Sequence, residues 1–323
     1  MQLFALSESR PFAERVATEL GLGLSEIEER VFPDGEFQNR PLVSLRGRDV
    51  YVIQSLHAGP DVSLSDKLVR LLVLLATLRD NGAQRVTAVI PYLAFARQDR
   101  QVHPRDPLAL RTLALLLEAA GADAVVTVDV HNIAAFQNAF RCQAINLEAA
   151  PDLVRKGIEI GVGDPVAIVS PDLGGAKRAQ RFGESLKSIR GESVSLAYVE
   201  KQRLDGELEG TQFAGDVQGA HVLIVDDMIS TGSTIVRAAK ACRERGASRI
   251  HAFATHGLFS GNAADKLMQA GLEKIVVSNS VPPFRLSGTP AEQLLDIVDV
   301  APLFATAIRR LHENKPLSES DRN

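Results

Sequence analysis

Short runs of β-branched residues alternate with longer helix-patterned runs along the whole chain, and this alternation limits the possible folds more than any other feature. Runs near 2–6, 49–54, 85–90, 124–129, 166–170, 194–199, 221–226, 249–255 and 275–279 read as strands. Those near 11–20, 65–81, 108–120, 174–187, 232–246, 262–270 and 301–312 read as helices. Val86-Thr87-Ala88-Val89-Ile90 and Val222-Leu223-Ile224-Val225 are apolar at nearly every position, so they need cover on both faces. The spacing predicts an α/β protein with largely parallel central sheets flanked by helices.

The pattern also repeats. Gly82-Ala83-Gln84-Arg85-Val86-Thr87-Ala88-Val89 matches Gly246-Ala247-Ser248-Arg249-Ile250-His251-Ala252-Phe253. Upstream, Gly47-Arg48-Asp49-Val50-Tyr51-Val52-Ile53 aligns with Gly219-Ala220-His221-Val222-Leu223-Ile224-Val225, and downstream Gly121 corresponds to Gly271. A glycine ending a helix before a strand is common on its own. Three matches in the same order instead predict two copies of one fold, divided near Pro151 into 1–148 and 149–323. A length of 323 residues agrees with two domains. The copies differ where strands end: 50–53 leads into Gln54-Ser55, whereas 222–225 leads into Asp226-Asp227.

Charge narrows the ligands. The net charge is −4, from 36 Lys and Arg against 40 Asp and Glu, which argues against nucleic acid or an anionic membrane as partner. Any anion must be held by local groups. Cys142 and Cys242 lie far apart and outside any CxxC spacing, as expected of a reducing cytoplasm. The N-terminus reads as lacking a signal peptide, and the apolar stretch 68–78 contains Arg70 and is too short to span a bilayer.

The stretch Val222 to Thr234 carries the clearest chemistry: a strand, the acidic pair, then Met228-Ile229-Ser230-Thr231-Gly232-Ser233-Thr234 leading into a helix. Residues 230–234 would offer backbone N–H groups and hydroxyls at a helix N-terminus, an arrangement that binds phosphate. Carboxylates cannot bind that phosphate, but they accept hydrogen bonds from sugar hydroxyls or hold a cation. Together they describe a pentose 5-phosphate site. The plainer reading is a capped helix after a buried strand.

This stretch resembles the loop that binds phosphoribosyl pyrophosphate (PRPP) in type I phosphoribosyltransferases and ribose-phosphate pyrophosphokinases. The rest of the chain chooses the second. Pro91-Tyr92-Leu93-Ala94-Phe95-Ala96-Arg97-Gln98-Asp99-Arg100 is similar to the PYxxYARQD stretch of those kinases. So are Phe32-Pro33-Asp34-Gly35-Glu36, Asp129-Val130-His131, Ser170-Pro171-Asp172-Leu173-Gly174-Gly175, Lys201-Gln202-Arg203 and Ala254-Thr255-His256-Gly257-Leu258-Phe259-Ser260-Gly261.

The resemblance implies two tandem phosphoribosyltransferase-like domains and the reaction of ribose 5-phosphate with ATP to give PRPP and AMP. It assigns ATP binding to Asp34, Gly35 and Glu36, from a neighbouring subunit's loop, and to Arg97 and Gln98. His131 and Asp172 would bind Mg²⁺, His131 also serving catalysis. Lys201 and Arg203 would lie on a mobile flap as catalytic cations, Arg203 also contacting ribose 5-phosphate. Asp226 and Asp227 would hold the ribose hydroxyls, and Ser230, Thr231, Gly232, Ser233 and Thr234 the 5-phosphate. The expected assembly is a homo-oligomer, dimer or hexamer, in the cytoplasm. No GxxxxGK[ST] occurs, so a Walker A loop does not hold the nucleotide.

The chain departs from the family pattern at Ser230, where Asp is usual, and at Ser233, where Gly is usual. The segment Asn132-Ile133-Ala134-Ala135-Phe136 after His131 also differs, with an apparent one-residue insertion. The polar tail 313–323 lacks the usual serine-rich ending and is expected to be mobile. Two alternatives follow: a non-catalytic regulatory protein associated with PRPP synthases, and a phosphoribosyltransferase that consumes PRPP.

Overall fold

A computed structural model describes residues 1–191, 194–204 and 207–317, and for 200–204 and 207–211 the backbone alone. The chain forms two compact units, Met1–Leu147 with Val300–Asn323, and Glu148–Asp299.

The first unit runs β1 (Gln2–Ala5), α1 (Arg10–Leu20), β2 (Ile27–Val31), β3 (Phe37–Pro41), β4 (Asp49–Ile53), α2 (Leu64–Asp80), β5 (Arg85–Val89), α3 (Ala109–Ala119), β6 (Ala124–Val128), α4 (Ile133–Ala139) and β7 (Gln143–Leu147). Its sheet is parallel in the order β1-β4-β5-β6-β7. β2 and β3 form a separate antiparallel hairpin.

The second unit runs α5 (Ala150–Glu159), β8 (Val166–Ser170), α6 (Ala176–Arg190), β9 (Ser195–Leu204), β10 (Glu207–Ala214), β11 (His221–Ile229), α7 (Ser233–Glu244), β12 (Arg249–Gly257), α8 (Ala263–Gln269), β13 (Lys274–Ser278) and β14 (Leu295–Val298). Its order is β10-β9-β8-β11-β12-β13-β14. The order β8-β11-β12-β13-β14 repeats β1-β4-β5-β6-β7, with a hairpin inserted after the first core strand each time. This is the duplication that the glycine-to-strand matches imply. The hairpins differ: β2-β3 stands apart, whereas β9 joins the sheet beside β8.

Burial follows the apolar runs. β6 and β8 are buried at every position, and β5 at all but its first. The described core of the second unit gathers Val169, Ile224, Ile250, Ala252 and Val277 from the sheet with Ile235 and Cys242 from α7.

The last helix, α9 (Ala301–His312), corrects the sequence division, because it belongs to the first unit rather than to 149–323. The cause is a polar anchor at the start of β4 and β5. Asp49 takes Arg85 Nε at 2.8 Å and pairs with His312 Nδ1 at 2.7 Å, while Arg85 Nη2 donates to the Leu311 carbonyl at 2.8 Å. Phe12 of α1 and Phe304 of α9 pack edge to face, 5.5 Å between ring centres. The described part of the tail, through 317, also folds back. Lys315 N–H donates to Arg310 O at 2.8 Å, and Arg310 Nη1 to Leu317 O at 2.7 Å.

His221 and His251 stack at the amino ends of β11 and β12, 4.6 Å between ring centres, and both are buried. His221 Nδ1 accepts the Gly163 N–H at 2.9 Å. Among the described residues, neither His251 nitrogen nor His221 Nε2 has a hydrogen-bond partner, the Glu273 carboxylate standing 4.0 Å from His251 Nε2. Burial, and then the neighbouring His221, push His251 from 6.5 down to about 4. The folded state therefore holds these rings neutral. Their contribution to stability is complete above pH 6.5 and is lost as the pH falls toward 4. The loss is on the order of 2–3 kcal/mol. The thermal midpoint of the wild type should accordingly fall more steeply over that interval than that of His251→Gln; two parallel pH curves would contradict this.

Candidate functional site

The topology of the second unit creates a crevice. From β8 the chain crosses through α6 to β9 on one side, then returns to β11 on the other side of β8. The connections leaving β8 and β11 thus diverge at their carboxyl ends, the position where open α/β sheets bind ligands. The first unit has no such reversal, since its strand order proceeds in one direction only.

Two turns line this switch point. After β8, the Ser170 hydroxyl donates to Asp172 O at 2.6 Å, and Asp172 Oδ1 accepts the Gly175 N–H at 2.9 Å. A Cβ on Gly175 would lie 2.6 Å from Ser170 Oγ, so the turn closes this tightly only around glycine. Asp172 is left exposed at the rim.

β11 runs further than expected. Its pairing with β12 continues through Asp226↔Ala254 and Met228↔His256, so both acids sit within the strand rather than after it. Arg178, from the first turn of α6, reaches them: Nη1 is 3.2 Å from Asp226 Oδ1 and 3.5 Å from Asp227 Oδ1. The side chains are 13% and 4% exposed, which makes this a mostly buried carboxylate pair under one guanidinium. Burial, then the charge of Asp227, raises Asp226 well above the usual carboxylate range, and Arg178 offsets part of the shift. The Asp227 N–H also donates to Asp226 Oδ1 at 2.9 Å, and the two adjacent carboxylates share the Arg178 guanidinium, so a cation or sugar hydroxyls would relieve their repulsion.

Beyond β11, residues 230–232 turn into α7 with Gly232 as the cap at φ 76°, and no side chain caps the helix. Gly232 is packed against α8, where a Cβ would meet Leu267 Cγ at 3.2 Å. The turn is pinned to the neighbouring strand end by Ser260 N–H on Ser230 O at 2.8 Å. The first-turn N–H groups of a helix have no partner within the helix and carry its positive dipole end. Thr231 and Ser233 are exposed, and Ser230 and Thr234 half-buried. Lys266 Nζ donates to Ser233 Oγ at 2.9 Å, bringing a cation to the loop through the hydroxyl that replaces the usual glycine. The unit thus gathers Asp172, Asp226, Asp227 and 230–234 around one crevice, together with Arg178, which sequence reasoning missed. Its one signal was a basic residue a single turn into the helix after the Gly174-Gly175 turn.

The other expected site residues lie in the first unit or on the second unit's hairpin. Asp34, Gly35 and Glu36 form the exposed tip of the β2-β3 hairpin, closed by Phe32 N–H on Glu36 O at 2.8 Å. Arg97 and Gln98 are exposed on a turn after β5, where Phe95 takes φ 62° and its carbonyl accepts the Gln98 N–H at 2.9 Å. His131 is exposed in the bend between β6 and α4. The side chains of Lys201 and Arg203 lie outside the described residues. Their backbone belongs to β9, whose pairing with β8 stops at Ser170↔Tyr198. Residues 199–204 therefore run past the carboxyl end of β8, paired only with β10.

Burial raises both thiols, Cys142 and Cys242, to about 12, so neither is a thiolate nucleophile at neutral pH.

Known proteins agree along the whole chain. Residues 1–121 match the N-terminal domain of ribose phosphate pyrophosphokinase, and residues 207–322 the phosphoribosyl synthetase-associated domain. Ribose-phosphate pyrophosphokinase 2 of Enterococcus faecalis is 36% identical over 320 residues, covering 98% of this chain and 95% of that protein. The ribose-phosphate pyrophosphokinase of Caldanaerobacter subterraneus subsp. tengcongensis is 36% identical, covering 99% and 97%. The crystal structure of phosphoribosylpyrophosphate synthetase from Mycobacterium smegmatis superposes with a TM-score of 0.87 at 34% identity, covering 97% of this chain and 99% of that one. A phosphate loop alone would not separate this family from other proteins that bind a sugar phosphate. Similarity that extends through both units does, and the chain belongs to the ribose-phosphate pyrophosphokinase family.

Proposed function

We propose that the protein transfers the β,γ-diphosphoryl group of ATP to O1 of ribose 5-phosphate, giving PRPP and AMP for nucleotide biosynthesis. The observation that carries this reading is the crevice at the β8/β11 switch point, where an Arg178-held carboxylate pair suited to sugar hydroxyls lies beside an uncapped helix start suited to phosphate.

In this reading the 230–234 loop takes the 5-phosphate and Asp226 and Asp227 take the ribose hydroxyls. Arg97 offers a fork for phosphate or a plane for the base, and Gln98 reads polar edges of adenine. Lys201 and Arg203 stabilise charge as the diphosphoryl group moves, Arg203 contacting the sugar phosphate as well. His131 would act through water or a phosphate. The transfer depends on in-line positioning and charge neutralisation more than on covalent help.

Mg²⁺ is the cofactor of this reading. Among the described residues no group of three or more His, Cys, Asp and Glu side chains is gathered to cage a metal. That suits Mg²⁺, which keeps several waters and binds through one or two carboxylates plus substrate phosphates. Asp172, exposed and oriented by Gly175, is the fitting hard oxygen ligand, with His131 the second residue the family pattern assigns. When bound, the ion neutralises phosphoryl oxygens.

The exposed Asp34-Gly35-Glu36 tip would complete the nucleotide site of a neighbouring subunit in a homo-oligomer, a dimer or a hexamer. Among the described residues no helix is long and apolar enough to cross a membrane. Both cysteines are free, in keeping with an enzyme of the cytoplasm.

Incubation with ATP, Mg²⁺ and ribose 5-phosphate, followed by ³¹P NMR, should show PRPP and AMP accumulating in equal amounts. Binding without turnover would identify a regulatory protein instead. Release of pyrophosphate from PRPP with a base would identify a phosphoribosyltransferase.

A further inference from the structure

In the first unit, the turn carrying Arg97 and Gln98 is tied to the bend carrying His131 by one side chain. Asn132 Nδ2 donates to Asp99 Oδ2 at 2.6 Å, while Asn132 Oδ1 accepts the Ala135 N–H at 3.2 Å and so caps α4. Asp99, the residue after Gln98, is 3% exposed, although Arg97 and Gln98 beside it are exposed. A buried carboxylate needs its hydrogen bonds, and its contact with Arg100 is distant: Arg100 Nε is 3.8 Å away and that side chain is 73% exposed. The Asn132 amide is thus the short, well-placed donor that holds this carboxylate. Gln98 is fixed from the other side as well, its carbonyl accepting the Leu110 N–H at 3.3 Å.

We propose that Asn132 is a positioning residue for ATP: through Asp99 it fixes the Arg97-Gln98 turn, and through its cap on α4 it fixes the bend that presents His131. Both of its bonds use the one amide, so neither turn can shift alone without breaking a half-buried contact. Asn132 itself touches no reacting group. It stands in the segment where this chain departs from the family pattern. The proposal rests on the reading that Arg97 and Gln98 hold ATP.

Three variants separate the tie from the cap and from folding. Asn132→Ser keeps a good helix cap but is too short to reach Asp99. It should raise the KM for ATP about tenfold and leave the KM for ribose 5-phosphate within twofold, with a lowered thermal midpoint as Asp99 loses its donor. Asn132→Asp places a carboxylate against Asp99, so its KM for ATP should rise further. The exchanged pair Asp99→Asn with Asn132→Asp restores donor, acceptor and cap, and should return the KM toward the wild-type value. Wild-type kinetics for Asn132→Ser would overturn the proposal, as would equal rises in both KM values. Arg97→Ala is the control on the underlying reading. If it leaves the KM for ATP unchanged, the ATP assignment fails; if it raises that KM while Asn132→Ser does not, only the positioning role fails.

Discussion

Replacing Lys201 with alanine should lower kcat by about 10³-fold or more while changing ribose 5-phosphate affinity by less than about threefold. The expectation comes from where the charge must act. On the proposed reading ribose 5-phosphate would be held at the carboxyl ends of β8 and β11, whereas β9 carries residues 201 and 203 beyond the last residue of β8. On the proposed reading, Lys201 on that overhanging segment would meet the diphosphoryl group rather than the sugar. Negative charge on that group is redistributed only as transfer proceeds, so the contact is stronger in the transition state than in the ground state. Cationic contacts of this kind are worth roughly 10³–10⁵ in rate, about 4–7 kcal/mol. Arg203→Ala should combine a comparable loss of kcat with a raised KM for ribose 5-phosphate. Steady-state kinetics together with equilibrium titration of ribose 5-phosphate provide the check. An unchanged kcat with a raised KM for Lys201→Ala would mean that Lys201 serves ground-state binding only.

Some of this site was legible in the sequence because its chemistry is contiguous. A phosphate loop must be small, rich in N–H groups and placed between a strand and a helix, so Asp226 to Thr234 declares itself within one short stretch. Arg178 does not, because it reaches Asp226 from the crossover helix of an adjacent strand, 48 residues away. Only the sheet order brings the two together. The core strands were legible because burial on both faces forces continuous apolar runs. The β2-β3 hairpin was not: its residues are mostly exposed, and it is held by polar pairs such as Arg40 Nε on Glu28 at 2.9 Å. α5 was hidden by Pro151, which reads as a boundary yet stands in the first turn of the helix, where proline costs little. The return of α9 to the first unit depends on Asp49 and Arg85 meeting residues more than 200 positions later. No local pattern records such a contact.

Lowering the pH should weaken ribose 5-phosphate binding through Asp226 before ordinary carboxylates titrate. Burial and the adjacent Asp227 raise Asp226 well above the usual range, so in the folded protein it takes up a proton at a higher pH than a solvated aspartate. The sign is opposite to that of a salt-bridged surface carboxylate. Stability from this group falls as the pH rises through its folded pKa, because ionisation places two buried negative charges side by side. Ribose hydroxyls, which donate to carboxylates, offset that cost only when Asp226 is ionised. Affinity should therefore drop about tenfold for each pH unit below the inflection. The substrate's own phosphate titrates near pH 6, by general phosphate chemistry, and adds a second inflection. Asp226→Asn separates the two: it should bind ribose 5-phosphate about 10- to 100-fold more weakly, as expected for loss of a charge-assisted hydrogen bond of about 1.5–3 kcal/mol, and retain only the phosphate inflection. Arg178→Met removes the guanidinium 3.2 Å from Asp226 Oδ1 and should move the Asp226 inflection upward. If the wild-type and Asp226→Asn profiles superimpose after scaling, the carboxylate pair does not hold the sugar.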